Sequence, residues 1–161
     1  MEDCTGRSLV WCYPVTRSGF DPTWTACFVL PGKPKTYKPP RFCKKPGGNV
    51  YAGHDKTMKS AREALADQMQ APTLVEVPLT VFMEFYFRRP KYHFKNGDLK
   101  KDAPEFVTKT PDVDNCVKFV LDALQPRVVA NDKIVTKIVA EKKWCLTDTA
   151  EMTIIELLVR V

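Results

Sequence analysis

Residues 75–88 read VEVPLTVFMEFYFR. Val75, Val77, Leu79, Val81, Met83, Phe85 and Phe87 alternate with Glu76, Pro78, Thr80, Phe82, Glu84, Tyr86 and Arg88. A period of two held this long puts one set of side chains on a core and the other toward solvent, so the stretch reads as a half-buried β-strand. Pro78 has no N–H for a ladder and confines the first half to an edge or a bulge. Helical patterns flank the strand. Upstream, Met58, Ala61, Leu65 and Met69 make one apolar stripe over 56–70, with Asp55 as a cap and Pro72 as the stop. Downstream, Pro111 opens a helix over 113–124. There Val113, Val117, Val120, Leu121 and Leu124 face the core, while Asp114, Lys118 and Asp122 form the opposite stripe.

Further out, WTACFVL (24–30) lies between Pro22 and Pro31 and reads as a first strand. Residues 31–49 hold five prolines and three glycines and read as a loop. Residues 128–144, VVANDKIVTKIVAEKKW, read as strand, Asn-Asp turn, strand, and 151–161, EMTIIELLVRV, as a last strand. Residues 1–23 lack periodicity and form an N-terminal extension of uncertain order ahead of one domain over 24–161. The expected fold is α+β, a small mixed β-sheet with two helices.

The chain has 161 residues, 44% hydrophobic and 27% charged, which is globular composition. No window approaches the ~20 apolar residues of a membrane span. The first residues carry Glu2 and Asp3 without a basic-then-apolar run, so no secretory signal is read and an intracellular protein is expected. Six cysteines, none paired at metal-ligand spacing, together with two histidines argue against zinc. Cys27, Cys116 and Cys145 sit in apolar runs, where free cysteine behaves as a small hydrophobe, and read as reduced thiols of a reducing compartment.

A net charge of +6 suggests a polyanionic partner. Its distribution says more. Lys33, Lys35, Lys38, Arg41, Lys44 and Lys45 fall in one acid-free stretch. Arg88, Arg89, Lys91, Lys95, Lys100, Lys101 and Lys109 crowd a second, with Tyr92, His93 and Phe94 interleaved. The lysines and arginines suit phosphate contacts, and the rings suit stacking at unpaired bases.

Between these stretches and the next strand stands Pro111-Asp112-Val113-Asp114-Asn115, then Lys118 and, later, Asn131-Asp132. Each member has an ordinary explanation. Asp112 is a natural N-cap, Asp114 suits the helix dipole, and Lys118 is an i,i+4 partner for Asp114. The set is harder to dismiss. Two carboxylates at a helix start would repel the phosphate that a bare N-terminus attracts. A divalent cation resolves the conflict, because Mg²⁺ is held by one or two carboxylates together with a substrate phosphate. Asp132 completes the cluster if the strand after it runs back beside the helix. No glycine-rich phosphate loop is present, which disfavours nucleotide triphosphate chemistry.

TPDVDNCVKFVLDAL (110–124), VVANDKIV (128–135) and Lys143-Trp144 resemble the RusA-type Holliday junction resolvases, crossover junction endodeoxyribonucleases of phages and bacteria. FVLPGKPKTYKPPRF (28–42) resembles that family's opening strand and basic loop, and FRRPKYHFKNGDLKKDAPEFVTKTPDVDN (87–115) the phage-type version. The resemblance implies a RusA-like α+β subunit, a homodimer, and Mg²⁺-dependent paired nicking of four-way DNA junctions, Mn²⁺ substituting. It implies Asp112, Asp114 and Asp132 as metal carboxylates and Lys118 as the catalytic lysine. Lys33, Lys35, Lys38, Arg41, Arg89, Lys91, His93 and Lys143 are the expected DNA contacts. It also implies a role in recombination and repair, in the cytoplasm or nucleoid of a bacterial or phage-infected cell, with another DNA-containing compartment as the alternative. Where the family usually has a first aspartate of an Asp-Asp pair, this chain has Asn131. That departure keeps open a second reading, a catalytically weak or inactive binder of branched or single-stranded nucleic acid.

Overall fold

In the computed structural model the described residues are 25–38, 41–44, 50–53, 56–69, 75–125, 127–146 and 151–159. The extension 1–23, the expected cap Asp55 and Pro72 lie outside them. In chain order the elements are β1 (Thr25–Pro31), β2 (Arg41–Lys44), β3 (Val50–Gly53), α1 (Lys56–Gln68), β4 (Leu79–Phe87), β5 (Phe94–Lys95), β6 (Asp98–Leu99), α2 (Val113–Leu124), β7 (Val135–Trp144) and β8 (Met152–Val159). The fold is α+β.

The main sheet has the order β1-β8-β4-β7. β8 runs antiparallel to β1 and β4, whereas β4 and β7 are parallel, joined by α2 as the crossover. The expected alternation in β4 is real: Leu79, Val81, Met83, Phe85 and Phe87 are buried. They share one core with Ala26, Phe28 and Leu30 of β1, Ile155 and Leu157 of β8, and Cys116, Val120, Ala123 and Leu124 of α2. Of the helix stripe read from the sequence, Val120 and Leu124 are buried in this core and Val117 and Leu121 pack against it, whereas Val113 is 38% exposed and Cys116 and Ala123 take core positions the stripe did not include. Asp122 of α2 is held by Arg62 of α1 at 3.0 Å, so it links the two helices. No helix of the described residues is long and apolar enough to cross a membrane.

Three local expectations need correction. The segment ahead of Pro78 is not a strand: only Val75 bridges, to Val129, and the ladder starts at Leu79 with a register shift. For the same reason 128–130 is not a strand, and Asn131 instead caps a short 3₁₀ turn, Asp132–Ile134, by accepting the Lys133 N–H at 3.0 Å. Residues 31–49 are not all loop either, because β2 pairs with β3 in a separate two-stranded ribbon. The second basic stretch also folds back on itself. Asn96 and Gly97 take φ of 51° and 91° between β5 and β6, the two-residue turn that twists with its strands. The Asn-Gly pair was the available signal for it.

Candidate active site

Strand direction sets the site. β1, β4 and β7 all end on the same rim of the sheet, since β1 and β4 are each antiparallel to β8 and β4 is parallel to β7. The first basic stretch leaves β1 on that rim and the second leaves β4 there. α2 starts there as well, because Lys142 near the end of β7 donates to the carbonyls of Lys109 (2.8 Å) and Pro111 (2.5 Å), just ahead of Asp112. Both basic stretches and the start of the acidic helix thus share one edge.

Asp112 is the N-cap residue of α2, with φ −72° and ψ 145°, but its side chain makes no capping hydrogen bond. Only its carbonyl serves the helix, accepting the Cys116 N–H at 3.3 Å. The capping explanation for its carboxylate therefore fails. Asp114 lies in the first turn, and both carboxylates are exposed. One turn further in, the exposed Lys118 holds its Nζ 4.9 Å from the centre of the Tyr37 ring. Tyr37 belongs to the first basic stretch, and its N–H donates to the Asn115 carbonyl at 2.8 Å. Lys33, Lys35 and Lys38, all exposed, are carried on this tethered segment.

Behind the carboxylates lies Cys116, fully buried. Burial pushes its thiol up to about 11, with Lys142 pulling it down and Asp114 and Asp112 pushing it further up. A neutral thiol in that position is packing, not a nucleophile.

Asp132 is elsewhere. It begins the turn that feeds β7, next to the C-terminal end of α2, where Val128 N–H meets the Leu124 carbonyl. The 12 residues of α2 rise about 1.5 Å each, so the two ends of the helix are about 18 Å apart. The parallel pairing of β4 and β7 is the reason. The strand after Asp132 runs back beside the helix, but Asp132 enters at its far end. Accordingly, no group of three or more His, Cys, Asp or Glu side chains among the described residues is gathered as a metal cage.

Several expected DNA contacts point inward. Arg89 is 6% exposed, with Nε on the Cys145 carbonyl at 2.6 Å and Nη1 on the Pro104 carbonyl at 2.8 Å. Nη1 also lies 3.3 Å from Nδ1 of His93, itself buried edge-on between Tyr92 and Trp144. These two residues pin the second basic stretch to the sheet. Lys143 is paired with Glu84 at 2.7 Å and Glu141 at 2.8 Å on the sheet face away from the helices. Those hydrogen bonds, Glu141 first, hold its ammonium charged well above the usual lysine range. Lys91 and Tyr92 remain exposed, and Lys109 stands 5.5 Å over the Tyr92 ring. The Arg41 side chain lies outside the described residues. Tyr37 and Lys142 were not found by sequence reasoning.

The donor chemistry of Asp112 and Asp114 fits a hard divalent cation. Two exposed carboxylates, neither used as a cap, are the donor type that such a cation takes alongside waters and phosphate oxygens. The family model for endodeoxyribonuclease RusA matches residues 31–155. That span includes every residue described at this rim. No curated protein matches the chain.

Proposed function

The chain belongs to the endodeoxyribonuclease RusA family, and from that premise we propose that it resolves four-way DNA junctions by metal-dependent paired nicking. The observation that carries the reading is the shared rim: uncapped Asp112, neighbouring Asp114 and Lys118 stand where two cationic stretches leave the sheet. Cationic flanks capture phosphates without regard to sequence, and the carboxylates reserve one spot among them for a cation.

In this reading Asp112 and Asp114 hold Mg²⁺, with Mn²⁺ able to replace it. When bound, the metal supplies hydroxide at neutral pH and offsets charge growing on the phosphorus oxygens. Lys118 offers a positive donor to the scissile phosphate or the departing oxygen. Lys33, Lys35, Lys38, Arg41 and Lys91 contact flanking phosphates. Arg89, His93 and Lys143 serve the architecture that presents them. Lys142 fixes the segment from which Asp112 projects.

The active form in this reading is a homodimer. Two copies match the two-fold symmetry of a junction and cut opposed strands. A single chain leaves its Asp132 a helix length from its Asp112, so Asp132 joins a metal site only when a second copy brings it.

A supercoiled plasmid carrying an extruded cruciform tests the proposal. With Mg²⁺ the product is linear DNA, because both strands are cut before the complex dissociates. Nicked circles alone would reject pairing. Intact plasmid under tight binding would favour the inactive-binder reading that Asn131 keeps open.

A further inference from the structure

We propose that Tyr37 is a positioning residue for Lys118, an inference that rests on the nuclease reading above. Two contacts tie Tyr37 to α2, and they are independent of each other. Its backbone N–H is donated to the Asn115 carbonyl at 2.8 Å, and its ring lies 4.9 Å from the Lys118 ammonium. The first sets where the segment 31–38 crosses the helix. The second acts on one side chain.

The choice of partner matters. An exposed lysine on a flexible four-carbon stem samples many rotamers, and fixing it costs entropy. A carboxylate partner would hold it but would neutralise it beside a phosphate. Asp114 is the carboxylate at the right helical spacing, yet the ammonium faces the ring of Tyr37. An aromatic face attracts a cation through its quadrupole and leaves the charge in place. The ammonium keeps its three N–H donors and its full charge for a phosphate oxygen. The same tyrosine anchors the segment carrying Lys33, Lys35 and Lys38. A phosphate gripped by that segment is thereby set at a fixed offset from Lys118.

The contact predicts a definite pattern. Tyr37→Phe keeps both the ring and the N–H, whereas Tyr37→Leu keeps only the N–H. Single-turnover cleavage of a pre-bound synthetic four-way junction should be unchanged in Tyr37→Phe and slower by about two- to fivefold in Tyr37→Leu. Junction affinity should be equal in all three proteins. In a Lys118→Met background, Tyr37→Leu should add no further loss, since the side chain it positions is gone. A Tyr37→Leu protein as fast as wild type, or one equally damaging with and without Lys118, overturns the proposal.

A readout without cleavage separates this inference from the reading beneath it. The ε-methylene protons of Lys118 should show an upfield ring-current shift by NMR, kept in Tyr37→Phe and lost in Tyr37→Leu. Absence of that shift in wild type overturns the positioning contact even if junctions are cut. Presence of the shift in a protein that cuts no junction overturns the nuclease reading and the catalytic role of Lys118 with it.

Discussion

His93 shows how a residue that looks like part of an interface is built into the support beneath it. The ring is 5% exposed, Arg89 donates toward its Nδ1, and Trp144 and Tyr92 meet it edge-on. Burial, then the positive charges of Arg89, Lys100 and Lys109, push its pKa below the usual histidine value of 6.5. The unfolded residue therefore binds a proton more readily than the folded one. Stability from the neutral ring is complete above about 6.5 and is lost as pH falls through that value toward the lower folded one. Thermal unfolding followed from pH 8 to pH 5 should show a falling midpoint below that value, with a shallower slope in His93→Gln. Equal slopes would place the acid sensitivity in other groups. Legibility at this scale was uneven. Asp112, Asp114 and Lys118 stood out because residue type and helical spacing coincide in one short segment. Arg89 and His93 look in sequence like any members of a basic loop. The inward direction of Arg89 depends on the Cys145 carbonyl, which arrives from beyond the end of β7, and on the Pro104 carbonyl further along the same stretch; that of His93 depends on Arg89 and on Trp144 of β7.

Pleating decides the roles of Lys142 and Lys143 in β7. Consecutive strand residues point to opposite faces. Lys142 therefore reaches the carbonyls that precede α2, and Lys143 reaches Glu84 and Glu141 on the other face. No sequence pattern distinguishes two adjacent lysines, whereas the register Phe85↔Lys142 and Tyr86↔Lys143 does so at once. Removing the Lys142 clamp should loosen the loop that aims Asp112. Lys142→Met is expected to slow single-turnover cleavage by about ten- to hundredfold, with junction affinity nearly unchanged. A parallel loss of affinity and rate would assign Lys142 to DNA binding. The regular elements were readable because each carries its own period: two in β4, and a single apolar stripe in α1 and α2. The β2–β3 ribbon was hidden by prolines and glycines. The segment 128–130 was misread because two adjacent valines mimic a strand where the chain only crosses Val75.

Across the whole molecule the basic stretches and the start of α2 meet on one rim, while Asp132 stands on the other. The sequence contains all of these residues, but only strand direction tells which share an edge. A metal site that uses Asp132 across two copies makes a prediction that a site within one chain does not. If the active form is the proposed homodimer, Asp114→Asn and Asp132→Asn chains mixed by joint refolding would give some heterodimers in which one intact Asp112–Asp114 pair meets one intact Asp132. Those mixtures should regain single nicking that neither parent shows. Continued inactivity of the mixture would confine each site to one chain or remove Asp132 from it. The central claim, that this rim is a metal-dependent junction-cutting centre, is tested most directly with an end-labelled synthetic four-way junction. Wild type and Asp114→Asn are incubated with Mg²⁺ and with EDTA, and a linear duplex of the same sequence runs alongside. Symmetric nicks near the branch point, present only for wild type with Mg²⁺ and absent from the duplex, are the expected result. Tight junction binding with no cleavage in either Mg²⁺ or Mn²⁺ would contradict the account.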